Sequence, residues 1–178
     1  METRHYVCRG RILVVDQDDW CRDFLTQVIK LIGFEEFRLT ATVDEALAAL
    51  EESSYDLVIT DFTLPGYQAL LESCSQRFPA THFILMVHQR EQTSRAMARR
   101  AEEATEVAYQ WIPPSQARGR PGFSPPQIAY LERMEIVIKP LTLDEMACKI
   151  RDAIRRRHRL QVEEEMRRLK AEVLRLLR

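Results

Sequence analysis

Short apolar runs and amphipathic stretches alternate along this chain. Ile12-Leu13-Val14-Val15 is an unbroken, β-branched run within residues 11–16, the pattern of a strand buried on both faces. Asp18 or Asp19 then offers an acidic helix start. Phe24, Leu25, Val28, Ile29 and Ile32 recur at helical spacing until Gly33 ends the run. Residues 37–41 predict a weaker strand. Thr42 and Glu45 have capping-box spacing and open a helix with Ala46, Leu47 and Leu50 inward. A third strand falls at 56–60, and Leu64-Pro65-Gly66 is loop chemistry. A short helix through Leu70, Leu71 and Cys74 leads to a fourth strand at 82–87. A fifth lies at 135–139, and Thr142 with Glu145 repeats the capping-box spacing directly after Pro140.

Strands alternating with helices predict βα units joined by right-handed crossovers. The fold class is therefore α/β, a flavodoxin-like (βα)5 doubly wound parallel sheet with a long C-terminal helix. Between strands four and five the pattern changes. Residues 91–111 predict one long helix, with Met97, Ala101, Ala104, Ala108 and Trp111 at spacings of 4, 3, 4 and 3. Residues 112–133 then hold five of the eight prolines and two of the five glycines, which excludes a packed helix and predicts a loop-like insertion. That insertion reads either as a partner-binding arm or as a tolerated surface loop.

The final helix, from Thr142 towards Arg178, should span roughly 50 Å at 1.5 Å per residue. Leu143, Ala147, Ile150 and Ile154 form one apolar seam, and Val162, Met166, Leu169, Val173 and Leu176 form a second. The two seams differ in heptad phase. The first suits packing on the sheet, and the second suits the same helix of another copy, which predicts a homodimer. The alternative is a frayed tail cut from a longer parent. Glu163 with Arg167 and Glu164 with Arg168 should support the helix locally.

Composition adds limits to this picture. At 178 residues the chain suits one domain with an appendage. A net charge of −1 conceals an imbalance: from Lys149 onward there are 11 basic and 5 acidic residues. Such a basic end could meet nucleic acid or an acidic partner, or be simply a solvated helix face. Cys8, Cys21, Cys74 and Cys148 have no CxxC spacing, which argues against a metal site or disulfide framework and for reduced, buried thiols. No apolar stretch approaches 18 residues, and the first residues lack the core of a signal peptide. A soluble, cytoplasmic protein without membrane association is expected.

The candidate chemistry lies where apolar runs end. Asp16 follows the first run, Asp61 closes Leu57-Val58-Ile59-Thr60, and Lys139 closes Ile136-Val137-Ile138. In open α/β sheets ligands gather at the carboxyl ends of strands. Two carboxylates and an amine at three such ends point to one anionic, cation-tuned site.

Arg11-Ile-Leu-Val-Val-Asp16, Asp56-Leu-Val-Ile-Thr-Asp61-Phe-Thr-Leu-Pro65 and Ile138-Lys139-Pro140 resemble the three signature segments of bacterial response-regulator receiver domains. Their order and the helices between them agree over residues 10–157, leaving 1–9 as a tail, 112–133 as an insertion and 158–178 as a coiled-coil extension. The enlarged region 91–133 has no counterpart in an ordinary receiver. The resemblance implies that Asp61 is the phosphoacceptor, served by a histidine kinase or phosphotransfer protein of a two-component phosphorelay. It implies that Mg²⁺ is held by Asp16, Asp61 and the backbone carbonyl of Thr63, and that Lys139 contacts the phosphate. It further implies a cis bond between Lys139 and Pro140, and no enzyme activity beyond self-phosphorylation and dephosphorylation at Asp61.

Three positions depart from that pattern. Gln17 stands where receivers usually have a second metal-binding acid. His88 stands where a small hydroxyl usually follows the phosphoryl group, and Ile136 where the coupled aromatic switch residue usually sits. Tyr67-Gln68-Ala69 also replaces the usual glycine-containing turn. Two functional readings follow: a phosphoacceptor switch with weakened Mg²⁺ binding, or a phosphorylation-independent pseudo-receiver acting as an interaction scaffold. A flavin enzyme would want a Ser/Thr/Gly-rich phosphate loop after strand one, and Gln17-Asp18-Asp19 is opposite in charge. The cluster Arg155-Arg156-Arg157-His158-Arg159 has no groove-reading motif beside it, so nucleic-acid binding is not expected.

Overall fold

Alternate strand residues face opposite ways, and here both directions are apolar, so each face of the sheet needs a covering layer. The computed structural model describes residues 9–88, 134–139 and 141–176, with the backbone only of His88. Its strands are β1 (Ile12–Val15), β2 (Phe37–Thr40), β3 (Leu57–Asp61), β4 (His82–His88) and β5 (Met134–Lys139). Its helices are α1 (Asp19–Leu31), α2 (Val43–Glu52), α3 (Tyr67–Arg77) and α4 (Leu143–Leu176). The five strands are parallel in the order β2-β1-β3-β4-β5. This is the doubly wound, flavodoxin-like sheet that the alternating pattern predicts.

One face packs Ile12, Val14 and Ile59 beneath Leu25 and Ile29 of α1 and Met146 and Ile150 of α4. The opposite face packs Leu13, Val15 and Val58 beneath Ala46 and Leu50 of α2 and Leu70 of α3. Adjacent residues of β1 thus serve different cores, which is why an unbroken apolar run is needed there.

Local chemistry sets the helix ends. Asp18 is the cap of α1, its Oδ1 accepting from the amide of Trp20 at 2.9 Å. Thr42 caps α2, but Glu45 reaches one residue further back than the usual capping box, to the amide of Ala41 at 2.9 Å. At α4 the exchange is reciprocal: Thr142 N–H donates to Glu145 at 2.8 Å, and Glu145 N–H donates to Thr142 Oγ1 at 3.2 Å. The Thr142 amide and hydroxyl, both donating to it, hold the Glu145 carboxyl below its usual range. Gly66, at φ +82°, makes the left-handed turn into α3.

Helix α4 divides into two parts. Met146, Ala147, Ile150 and Ala153 are buried, with Leu143 and Ile154 packed against them. The helix runs antiparallel to the strands, and Arg157 pairs with Asp56 just before β3 begins. Beyond that point Val162, Met166, Leu169, Val173 and Leu176 are exposed. The expected pairs Glu163–Arg167 and Glu164–Arg168 form at 3.9 and 2.9 Å. One expectation needs correction: Cys21 and Cys74 are buried, but Cys148 is exposed, because it lies off the buried stripe of α4. The helix expected at 91–111, the insertion at 112–133 and the Lys139-Pro140 peptide lie outside the described residues, as does the side chain of His88.

Candidate functional site

The parallel sheet brings the ends of β1, β3 and β5 to one pole, and the expected charges meet there. Asp16 and Asp61 are each 2 % exposed. Lys139 Nζ lies 2.6 Å from Asp61 Oδ2 and 3.6 Å from Asp16 Oδ2. Buried carboxylates need such a counter-charge, since leaving one unpaired is costly.

Each oxygen has a distinct environment. Asp61 Oδ1 accepts from the amide of Thr63 at 2.7 Å and from its hydroxyl, while Oδ2 accepts from Lys139. Asp16 Oδ1 accepts from the amide of Asp18 at 2.9 Å. Asp16 Oδ2 is buried and accepts no hydrogen bond among the described residues. Its counter-charge is the Lys139 ammonium, at ion-pair rather than hydrogen-bond distance.

Sequence reasoning missed three neighbours. Cys21, in the first turn of α1, places Sγ 3.4 Å from Lys139 Nζ. Arg22 donates to the main-chain carbonyl of Asp16 and pairs with Asp19, tying the β1 end to α1. The hydroxyl of Thr63, expected only through its carbonyl, donates to Asp61 Oδ1. The one available signal was position: the first turn after β1 faces the pole where strands end.

The electrostatics follow from this packing. Burial works against the Lys139 ammonium, but Asp61, then Cys21 and Asp16, raise it above the ordinary lysine value. Burial also pushes the Cys21 thiol up to about 12, with Lys139 pulling the other way. At neutral pH the pocket therefore holds an ammonium and a protonated thiol beside two acids.

The departing positions have separate surroundings. Gln17 is exposed, next to buried Asp16. His88 ends β4 in register with Lys139. Ile136 is half-buried and packs with Phe62, Leu85 and Val87. Tyr67 joins that group, its ring edge-on to Phe62 at 6.1 Å.

No group of three or more acids, histidines or cysteines suited to a metal occurs among the described residues. Two carboxylates and the Thr63 carbonyl still offer hard oxygen ligands of the kind Mg²⁺ takes, with waters completing its shell. The Asp16 oxygen that accepts no hydrogen bond fits that use. Gln17, exposed beside Asp16, adds no anion to that set.

Comparisons with known proteins agree with the fold. A family described as response regulator receiver domain matches residues 12–107. A response regulator receiver domain protein from Clostridium thermocellum superposes with TM-score 0.58 at 19% identity, covering 85% of this chain and 99% of that one. The signal receiver domain of an HD domain-containing protein from Pseudomonas fluorescens Pf-5 gives 0.61 at 21%, covering 86% and 92%. NtrX from Brucella abortus gives 0.64 at 19%, covering 89% of this chain and 30% of that one. No curated protein sequence matches significantly.

Proposed function

This chain belongs to the response regulator receiver domain family of signal transduction, and from that premise we propose that it is an atypical phosphoacceptor switch with Asp61 as the acceptor. The observation that carries the reading is the pair of buried Asp61 and part-buried Lys139 at 2.6 Å, with Asp16 beside it. In this reading residues 10–157 form the receiver unit and 158–178 the extension. The phosphoryl donor is a histidine kinase or phosphotransfer protein.

The chemistry is transfer of a phosphoryl group between two nucleophiles. The Asp61 carboxylate attacks phosphorus, a new Oδ–P bond forms, and the bond from phosphorus to the donor nitrogen breaks. Like charges oppose the approach of phosphate to Asp61, and the Lys139 ammonium offsets them. Lys139 must then exchange its hydrogen bond with the carboxylate for contact with the arriving oxygens. Mg²⁺, when bound, supplies further charge neutralisation, and Asp16, Asp61 and the Thr63 carbonyl are the residues that would hold it. Thr63 N–H and its hydroxyl keep Oδ1 oriented, leaving Oδ2 to react.

Output passes through protein contacts, including a second copy of this chain on the exposed seam of α4. The test is a small-molecule phosphodonor with Mg²⁺: weak incorporation mapped to Asp61, and none in Asp61→Asn, is expected. No incorporation at high Mg²⁺ would reject the reading.

A second reading rests on a specific feature of the same site. Both Asp61 oxygens are already engaged within the chain, and Gln17 contributes no charge to a metal. A pseudo-receiver that keeps the fold as an interaction scaffold would be built this way. Failure to incorporate phosphate, with partner binding unchanged in Asp61→Asn, is its signature.

A further inference from the structure

The exposed seam of α4 carries more information than the existence of a partner. We infer that residues 162–176 pair with those of a second copy in parallel and in register, with Glu165 of each chain facing Lys170 of the other. This rests on the proposed homodimer and specifies its geometry.

The seam spacing assigns Met166 and Val173 to heptad position a, and Val162, Leu169 and Leu176 to position d. All five are exposed, from 44% at Val162 to 81% at Leu176. Leu at two of three d positions, with a β-branched residue at one a position, is the composition that favours two parallel strands.

The flanking charges then choose the orientation. In a parallel pair position g faces position e of the partner one heptad on, which sets Glu165 against Lys170 twice by symmetry. His158 meets Glu163 in the same way. An antiparallel pair sets g against g, which opposes Glu165 and Glu172 twice. It would gain only Glu163 against Lys170 in return. Sliding a parallel pair by one heptad places Glu165 against Glu163 and uncovers a hydrophobic layer at each end.

Among the described residues nothing covers this seam. Arg157, Gln161, Glu164 and Arg168 line a groove with Ala80 and His82 of the same chain; Leu160 and Glu165 border it too, Glu165 accepting from Gln161 at 3.5 Å. The first four continue the face of α4 that packs on its own domain, and they occupy positions f and c, opposite the a and d seam. The second seam is rotated by one residue, roughly 100°, from the buried one. Pairing also stops at a defined point, because Arg155 and Arg159 take the next d and a positions and repel across the axis. Since α4 leaves the domain at the pole opposite Asp61, both acceptor sites stay clear of the paired helices.

The test uses the full chain with Cys8→Ser and Cys148→Ser, so that these two thiols do not compete. Leu169→Cys should give a disulfide-linked dimer on mild oxidation. Glu165→Lys should raise the dimer dissociation constant roughly tenfold, since it sets two ammonium groups against each other in the parallel pair. Tighter association of Glu165→Lys overturns the orientation, because an antiparallel pair would gain the introduced ammonium against Glu172. So does cross-linking that requires a mixture of Met166→Cys and Leu169→Cys chains. A dimer by light scattering that shows no Leu169→Cys cross-link also overturns it. A monomer by light scattering overturns the homodimer itself, a separate outcome.

Discussion

Lys139 sits between two buried carboxylates, and its charge is what lets them share a pocket. Replacing it by Met should cost about 2–4 kcal/mol in urea unfolding at neutral pH, because two acids then face each other without a cation. Adding Asp61→Asn to that variant should recover part of the loss. The pH dependence has a definite sign. The folded Lys139 pKa lies above the ordinary value, so its stabilising contribution is complete below that value and is lost as pH rises through the raised one. Lys139→Met should lose that component and leave the alkaline loss that comes from the buried thiols of Cys21 and Cys74, each held up at about 12. Cys21 gives a second check. With its thiol held at about 12, alkylation of the native protein at neutral pH should reach exposed Cys148 at least about a hundredfold faster than Cys21. Peptide mapping reads the order directly. Gln17→Asp should raise Mg²⁺ affinity roughly tenfold by calorimetry, since it restores an anion beside Asp16; unchanged affinity would place residue 17 outside the metal shell. Asp16, Asp61 and Lys139 were legible because each interrupts an apolar run. Cys21 was not, because a cysteine in an amphipathic helix looks the same whether it packs on leucine or on lysine.

Among the elements, α4 offers the sharpest contrast. Ile150 is fully buried and Leu169 is more than half exposed, though both are aliphatic residues on one helix. Ile150→Ala should cost about 2–5 kcal/mol through lost burial and a cavity. Leu169→Ala should change the unfolding free energy of the isolated chain by less than about 0.5 kcal/mol while weakening self-association. Equal effects in the two variants would mean that the second seam packs within its own chain. The phase change between seams was readable from spacing alone. Helix starts were readable too, since Asp18, Thr42 and Thr142 cap by local bonds. The backward reach of Glu45 to Ala41 was not, because it depends on the path by which β2 enters α2.

At the scale of the molecule, Asp61 and the C-terminal extension stand at opposite poles of one sheet. Deleting residues 160–178 should therefore reduce the solution mass to that of a monomer while phosphorylation of Asp61 proceeds as before. An unchanged mass would assign dimerisation to another surface. The distance between poles also means that a change at Asp61 must cross the sheet or travel along α4 to be felt at the coil. By itself the sequence determined the strands and helices of the described residues, the parallel order of their alternation and the charges that close three strands. Those features are local: periodicity, caps and end-of-strand polarity are written within a few residues of where they act. Tertiary structure alone decided that Asp61 shares its oxygens between Thr63 and Lys139, that Cys21 abuts Lys139, and that Asp56 joins Arg11 to Arg157 where α4 departs. Some of these contacts join residues as far as 118 positions apart. Their geometry is set by how helices settle on the two faces of the sheet, which no local pattern specifies.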